Sequence, residues 1–369
     1  MLDLRNFLCV ALLGCAPVAV AQSTEAVDLD TALGTDKLAA QVADRRVVLI
    51  GETHVRYDHH LNQLALLRAL YERHPVMAIG LEYFPRAVQA HLDDFVEKRI
   101  DEQEMLRATD YFGNWGYDYR LYAPILRFAR EHEIPLVALN VPREIPSAVV
   151  KVGIDGLTPE QRALAPKEIE PADEAYRGRL KKEYDAHGSA APGSLDHFVE
   201  AQLVWDEGMA ESAAMFLEAH PEMPMAVLAG SGHLMFGSGI PMRLARRTGA
   251  SYAIVLNNED GLTAAMADFV MLGEEQELPA AGILGVRMHD GDGECSISGL
   301  VRGSAGAKAG LKKGDVLVSV DGVEVHRSDD VKLALWDKAP GDRVQVVVVR
   351  KHFLGSEQKP FDVELKAAR

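Results

Sequence analysis

Cysteine is scarce in this chain. Of its 369 residues only three are Cys, and two of them, Cys9 and Cys15, lie in an amino-terminal leader. With the leader released, Cys295 is the one thiol left. No intrachain disulfide can then form, and a zinc–thiolate cluster is excluded. Basic charge is short as well: 39 Lys and Arg stand against 55 Asp and Glu, a formal net charge of -16. So acidic a chain is a poor partner for nucleic acid or an anionic membrane surface. There is no Gly-x-Ser-x-Gly turn, and Ser231 sits instead in a Gly-Ser-Gly before a histidine. A Ser-His-Asp triad is therefore not supported.

What the sequence does have is a repeated ending. Val47-Val48-Leu49-Ile50 runs into Gly51-Glu52-Thr53-His54. An apolar, β-branched run of this kind reads as a strand buried on both faces, and the helical spacing after Asp58 makes it the start of a βα unit. Val76–Leu81 ends on Glu82-Tyr83, Pro135–Leu139 ends on Asn140 with Arg143 beyond, and Met225–Ala229 ends on Gly230-Ser231-Gly232-His233. If these strands are parallel, Glu52, His54, Glu82, Asn140 and His233 converge on one sheet edge, where open α/β sheets hold their ligands. Two Gly-x-x-His copies in equivalent positions are more than strand ends meeting solvent would produce. His60 falls in the first turn of the helix after His54, on its apolar face.

Aromatic residues make up 7% of the chain but crowd into Asp110–Tyr122. Glycines there argue against a regular helix in its first half, and the segment reads as a pocket wall carrying Trp115. Residues of about 155–220 carry almost no strand signal and read as an inserted helical subdomain, a lid in form. Met1–Ala21 has the charged, apolar and small-residue parts of a secretory signal, with release expected after Ala21. Leu12-Leu13-Gly14-Cys15 also fits a lipobox, which would anchor the protein through a lipidated Cys15. Either route implies export, to a periplasmic location.

Residues 273–279 form a charged linker. Beyond it come Gly282-Ile283-Leu284-Gly285-Val286, the pattern Ala309-Gly310-Leu311 to Gly314-Asp315-Val316-Leu317, a helix over Asp329–Leu335 and a strand over Val344–Val349. Residues 280–367 resemble a PDZ domain. The resemblance implies that the backbone N–H groups of Leu284, Gly285 and Val286 capture a terminal carboxylate. The carboxyl-terminal peptide of an exported protein would lie beside Val331 and Leu335. Asp290-Gly291-Asp292-Gly293 reads as a hairpin turn, since its spacing does not fit a calcium loop.

Three chemistries suit the first domain. His and Glu at a strand-end cleft suit a divalent transition metal. They suit hydrolysis, with His54 as base and Glu52 or Glu82 orienting it. Beside aromatics they suit haem, whose iron takes His or Tyr. The ordered set of Gly51-Glu52-Thr53-His54 with His59-His60, Leu81-Glu82, Trp115–Tyr122, Leu139–Arg143 and Gly230–His233 resembles the ChaN-like haem-binding uptake family, within the wider Tiki, TraB and erythromycin-esterase superfamily. The resemblance covers roughly residues 35–272. It implies an exported haem- or iron-binding protein with His54, His60, Glu82 and His233 as ligands and Tyr83, Trp115, Asn140 and Arg143 lining the pocket. Tiki-type relatives imply the alternative, a metal-dependent peptidase or esterase in which Glu52 and His54 are catalytic; a non-catalytic interaction scaffold is the third reading. The expected fold is a mostly parallel α/β sheet flanked by helices, with the helical insert, joined to a small β-rich PDZ domain.

Overall fold

The computed structural model describes residues 32–188, 193–258, 261–353 and 355–367. The expected leader, with Cys9 and Cys15, lies outside them. Six strands form the first sheet: β1 (Val47–Glu52), β2 (Ala78–Pro85), β3 (Leu136–Asn140), β4 (Met225–Gly230), β5 (Tyr252–Asn257) and β6 (Phe269–Met271). Their order is β3-β2-β4-β1-β5-β6, and every pairing is parallel.

Helices link and cover these strands: α1 (Thr35–Val42), α2 (Tyr57–Arg73), α3 (Gln89–Val96), α4 (Glu102–Ala108), α5 (Tyr111–Asn114) and α6 (Ala123–Glu131), then α7 (Glu144–Val152), α8 (Pro159–Leu164), α9 (Glu174–Ala186), α10 (Leu195–Ala219) and α11 (Ile240–Thr248). Side chains alternate along each strand, so one sheet feeds two cores. Val48, Ile50, Ile79 and Leu228 pack with Leu38 of α1, Leu67 of α2 and Ile125 of α6. Leu49, Leu139, Val227 and Ile254 face the other way, onto Met209 and Ala213 of α10 and Leu244 of α11. The apolar runs are continuous because both faces are covered.

This layering corrects one expectation. The carboxyl-terminal half of α10 is not a lid on an insert; it is part of the domain's second core. Only its first half joins the smaller clusters, with α7 through Ala201 and Val204 and with α9 through Phe198 and Leu203.

Topology then fixes where a crevice forms. The chain leaves β1 for α2 on the first face and leaves β4 for α11 on the second. Neighbouring strands whose connections diverge to opposite faces open a crevice at their carboxyl ends. Those are the two strands that carry the Gly-x-x-His turns.

The second domain has β7 (Gly282–Ile283), β8 (Val286–Gly291), β9 (Glu294–Leu300), α12 (Ala305–Ala309), β10 (Val316–Val320), β11 (Val323–Glu324), α13 (Ser328–Leu335), β12 (Arg343–His352), β13 (Gly355–Glu364) and β14 (Lys366–Ala367). Its main sheet is antiparallel in the order β13-β12-β10-β9-β8, which leaves β8 at an edge. Asp290–Gly293 forms the expected hairpin turn between β8 and β9. The module has its own core, including Leu317, Val331, Val346 and Val363.

Candidate functional site at the strand ends

In-register pairing sets Glu52 of β1 against Gly230 of β4. The approach is close. A Cβ on Gly51 would lie 2.5 Å from Leu256 Cδ2 and 2.8 Å from Ser231 Oγ, and one on Gly230 would lie 2.9 Å from His54 Cε1. Both turns need glycine for want of space, which is the physical content of the doubled motif. On the other side of β4, the register of β2 with β3 shifts between Leu81 and Pro85. That irregularity brings Glu82 to the rim, as bulges re-aim side chains. Asn140 Nδ2 donates to the Glu82 carbonyl at 2.9 Å and steadies it.

Four sequence candidates meet here. His54 Nδ1 donates to Glu52 Oε1 at 2.5 Å. Glu82 accepts from the Gly230 N–H at 2.5 Å and lies 3.4 Å from His233 Nε2. His233 Nδ1 donates to Asp206 Oδ1 at 2.7 Å, and Tyr176 hydroxyl donates to the other Asp206 oxygen. Burial opposes charge on His233, but Glu82 and the Asp206 bond outweigh it and push its pKa up to about 9. As the site stands, His233 is an imidazolium between two carboxylates, and it must shed that proton to act as a ligand. Burial likewise opposes charge on His54; the bond to Glu52 and the charge of Glu82 hold its pKa above the ordinary value.

His60 sits on the buried face of the first turn of α2, where its spacing places it, and does not line the cavity. It is fully buried, 3.3 Å from Gln63 Oε1 and 3.1 Å from the His54 carbonyl, and lies behind the cavity. It positions the His54 turn. Its Nε2 also lies 3.7 Å from Glu52 Oε2.

The crevice is a cavity of about 300 Å³ lined by His54, Glu82, Tyr83, Trp115, Asn140, Arg143 and His233, together with Tyr117 and Trp205. The aromatic segment has two roles. Trp115 and Tyr117 wall the cavity, each with its ring 4.9 Å from that of His54, while Tyr111, Tyr119 and Tyr122 are core residues beneath. Tyr83 is buried and its hydroxyl has no hydrogen-bond partner among the described residues. Arg143 Nη1 donates to the Gly113 carbonyl and ties the wall in place.

Glu52, His54 and Glu82 offer ligand atoms that all lie within 4.8 Å of one another. Glu52 Oε2 is buried and lacks a hydrogen-bond partner among the described residues, a costly state that a cation would relieve. The chemistry also suits a planar, largely apolar group carrying iron: aromatic rings flank His54, whose Nε2 has no hydrogen bond among the described residues. Three contributors escaped sequence reading. Tyr117 was one aromatic among many, while Trp205 and Asp206 sit inside a long helical pattern where nothing marks them.

In the second domain, Leu284, Gly285, Val286, Val331 and Leu335 line one groove of about 400 Å³ between β8 and α13.

A family model described as "Haem-binding uptake, Tiki superfamily, ChaN" matches residues 38–244, more than half of the chain. The chain belongs to the ChaN family. A PDZ model matches residues 282–365 of this ChaN-family chain. Among solved structures it resembles one described as cofacial heme binding to ChaN of Campylobacter jejuni, at 19% identity and a TM-score of 0.53, over 64% of this chain and 91% of that one. At that identity the likeness shows the fold. Among curated proteins it is 24% identical over 239 residues to RETICULATA-RELATED 5, chloroplastic, of Arabidopsis thaliana, which covers 58% of this chain. The chain spans 32% of that plant protein's length.

Proposed function

We propose that this is an exported haem-binding protein whose PDZ module captures a carboxyl-terminal peptide. The observation that carries the haem reading is the pairing of His54 with the Trp115 and Tyr117 rings in a cavity at the strand ends. Haem bound there would supply an iron centre. His54 would hold the iron through Nε2, the aromatic wall would cover the ring's apolar face, and Arg143 at the cavity lining suits a propionate. Titrating the purified protein with haem and following the absorbance band tests this; a saturable band with a stoichiometry of one or two per chain is expected. No band beyond that of free haem would sink it.

Export rests on the Met1–Ala21 pattern. The mass of the mature protein from cells checks it: a chain starting at Gln22, or one carrying lipid on Cys15, agrees with export, and an intact Met1 does not.

A second reading is favoured by Glu52 Oε2, which accepts no hydrogen bond among the described residues and lies beside His54 and Glu82. It is a site for a divalent transition metal, in which Glu52 and His54 serve hydrolysis of a peptide or ester. Metal content after purification without chelator separates the two readings. Stoichiometric metal, with hydrolysis abolished by chelator, would put this reading first.

A further inference from the structure

The peptide groove is not built by the PDZ module alone. Its cavity is lined by Leu284, Val286, Val331 and Leu335 of the module and by Phe112 and Tyr117 of the α/β domain. Tyr117 also lines the strand-end cavity, where its ring lies 4.9 Å from His54. The segment is pinned along the module. Arg327, just before α13, pairs with Asp110. Trp336, at the other end of α13, packs its ring 5.4 Å from Tyr119. Arg120 Nη1 donates to the Pro279 carbonyl at 2.7 Å.

From this we propose that residues 112–120 are a shared wall. The occupant of the groove is a peptide with a free carboxyl terminus and an apolar last residue, and it touches the same Tyr117 ring that walls the strand-end site. The fold suits that occupant: β8 is an edge strand, residues 284–286 lead into it, and Leu284, Val286, Val331 and Leu335 give the groove between β8 and α13 apolar walls. The consequence is coupling. A peptide packed under the segment fixes Tyr117, so a ligand at the strand ends meets a wall already ordered and binds more tightly. By linkage the peptide gains the same factor. The carboxylate capture and the haem ligand come from the reading above; the shared wall does not depend on haem.

The experiment uses the full chain and two probes. First, without haem, a fluorescent peptide ending in valine is titrated as free acid and as amide into the parent, Tyr117→Ala, Leu335→Ala and, as a control, His187→Ala. Free acid should bind better than amide, and Tyr117→Ala and Leu335→Ala should each weaken it by about tenfold, as loss of a buried anchor does. Equal binding of acid and amide, or parent-like affinity in Tyr117→Ala, overturns the proposal. Second, haem is titrated into the parent with and without saturating peptide. Haem should bind about fivefold or more tightly with peptide present, the lower range of allosteric couplings. Unchanged haem affinity overturns the coupling. A parent that binds peptide but no haem fails the haem reading alone, and the first arm still decides the shared wall.

Discussion

His54 and His233 sit at the ends of two copies of one motif, yet their surroundings differ. His54 is partly exposed and has one carboxylate partner at hydrogen-bond distance. His233 neutralises Glu82 and the fully buried Asp206 together. His54→Ala should therefore weaken haem binding more than tenfold, a loss above about 1.4 kcal/mol, and should also lower stability, because buried Glu52 loses the imidazole it is bonded to. His233→Ala should weaken it as much and also cost about 3 kcal/mol of stability, because Asp206 is left buried without its cation. Absorbance titration and thermal unfolding of the two variants, with His187→Ala as control, read both effects. A His233→Ala variant that melts with the parent would mean that the Asp206–His233 pair holds nothing. The motif was legible in the sequence because two apolar runs end on the same Gly-x-x-His pattern. The inequality between its copies was not, since it comes from Asp206, more than twenty residues away on α10.

At the scale of elements, the parallel strands were legible for one reason: a strand covered on both faces loses all polar alternation, and four such runs ended alike. The reading of α10 as a lid failed because a helix apolar on much of its surface gives no sign of which neighbour it packs against. In the PDZ module, the Gly314-Asp315 pair of the motif has a structural task. Asp315 is buried; its two oxygens accept from Arg350 at 2.7 Å each, joining the start of β10 to β12, and Oδ2 also accepts from the Lys312 N–H. Burial alone would raise the Asp315 pKa, but the Arg350 bonds outweigh it and hold it below the ordinary carboxylate value. A depressed carboxylate contributes stability above its unfolded pKa and loses it as pH falls through the folded one. Asp315→Asn should thus cost about 3 kcal/mol near neutral pH. The difference from the parent should shrink in acid, below pH ~4, where the unfolded carboxylate takes up its proton and then the folded one follows. Denaturant unfolding of both proteins at several pH values checks this, and a pH-independent difference would rule out the ion pair as its source.

For the whole molecule, the question is how far the PDZ module is its own body. The sequence pattern sets a linker at residues 273–279, with 280–367 beyond it. The module has a core of its own, but α13 faces two ways. Val331 belongs to the module's core, whereas Leu333, two residues on, is buried in the main core of the α/β domain. Trp336 lies beside it, with its ring against Tyr119 and the Arg127 guanidinium 5.7 Å above. The pattern of an amphipathic helix shows which residues are apolar, not that two bodies divide them. Leu333→Ala should therefore act on docking more than on folding of the module. In the full chain it removes a buried leucine, a loss of about 2–5 kcal/mol. Cleavage of the glutamate-rich linker by a Glu-specific protease should speed up accordingly. In the isolated 280–367 segment Leu333 has lost its partner surface, so the same substitution should barely move the unfolding midpoint. An isolated segment destabilised as much as the full chain would place Leu333 in the module's own core, and the division of α13 between two bodies would have to be given up.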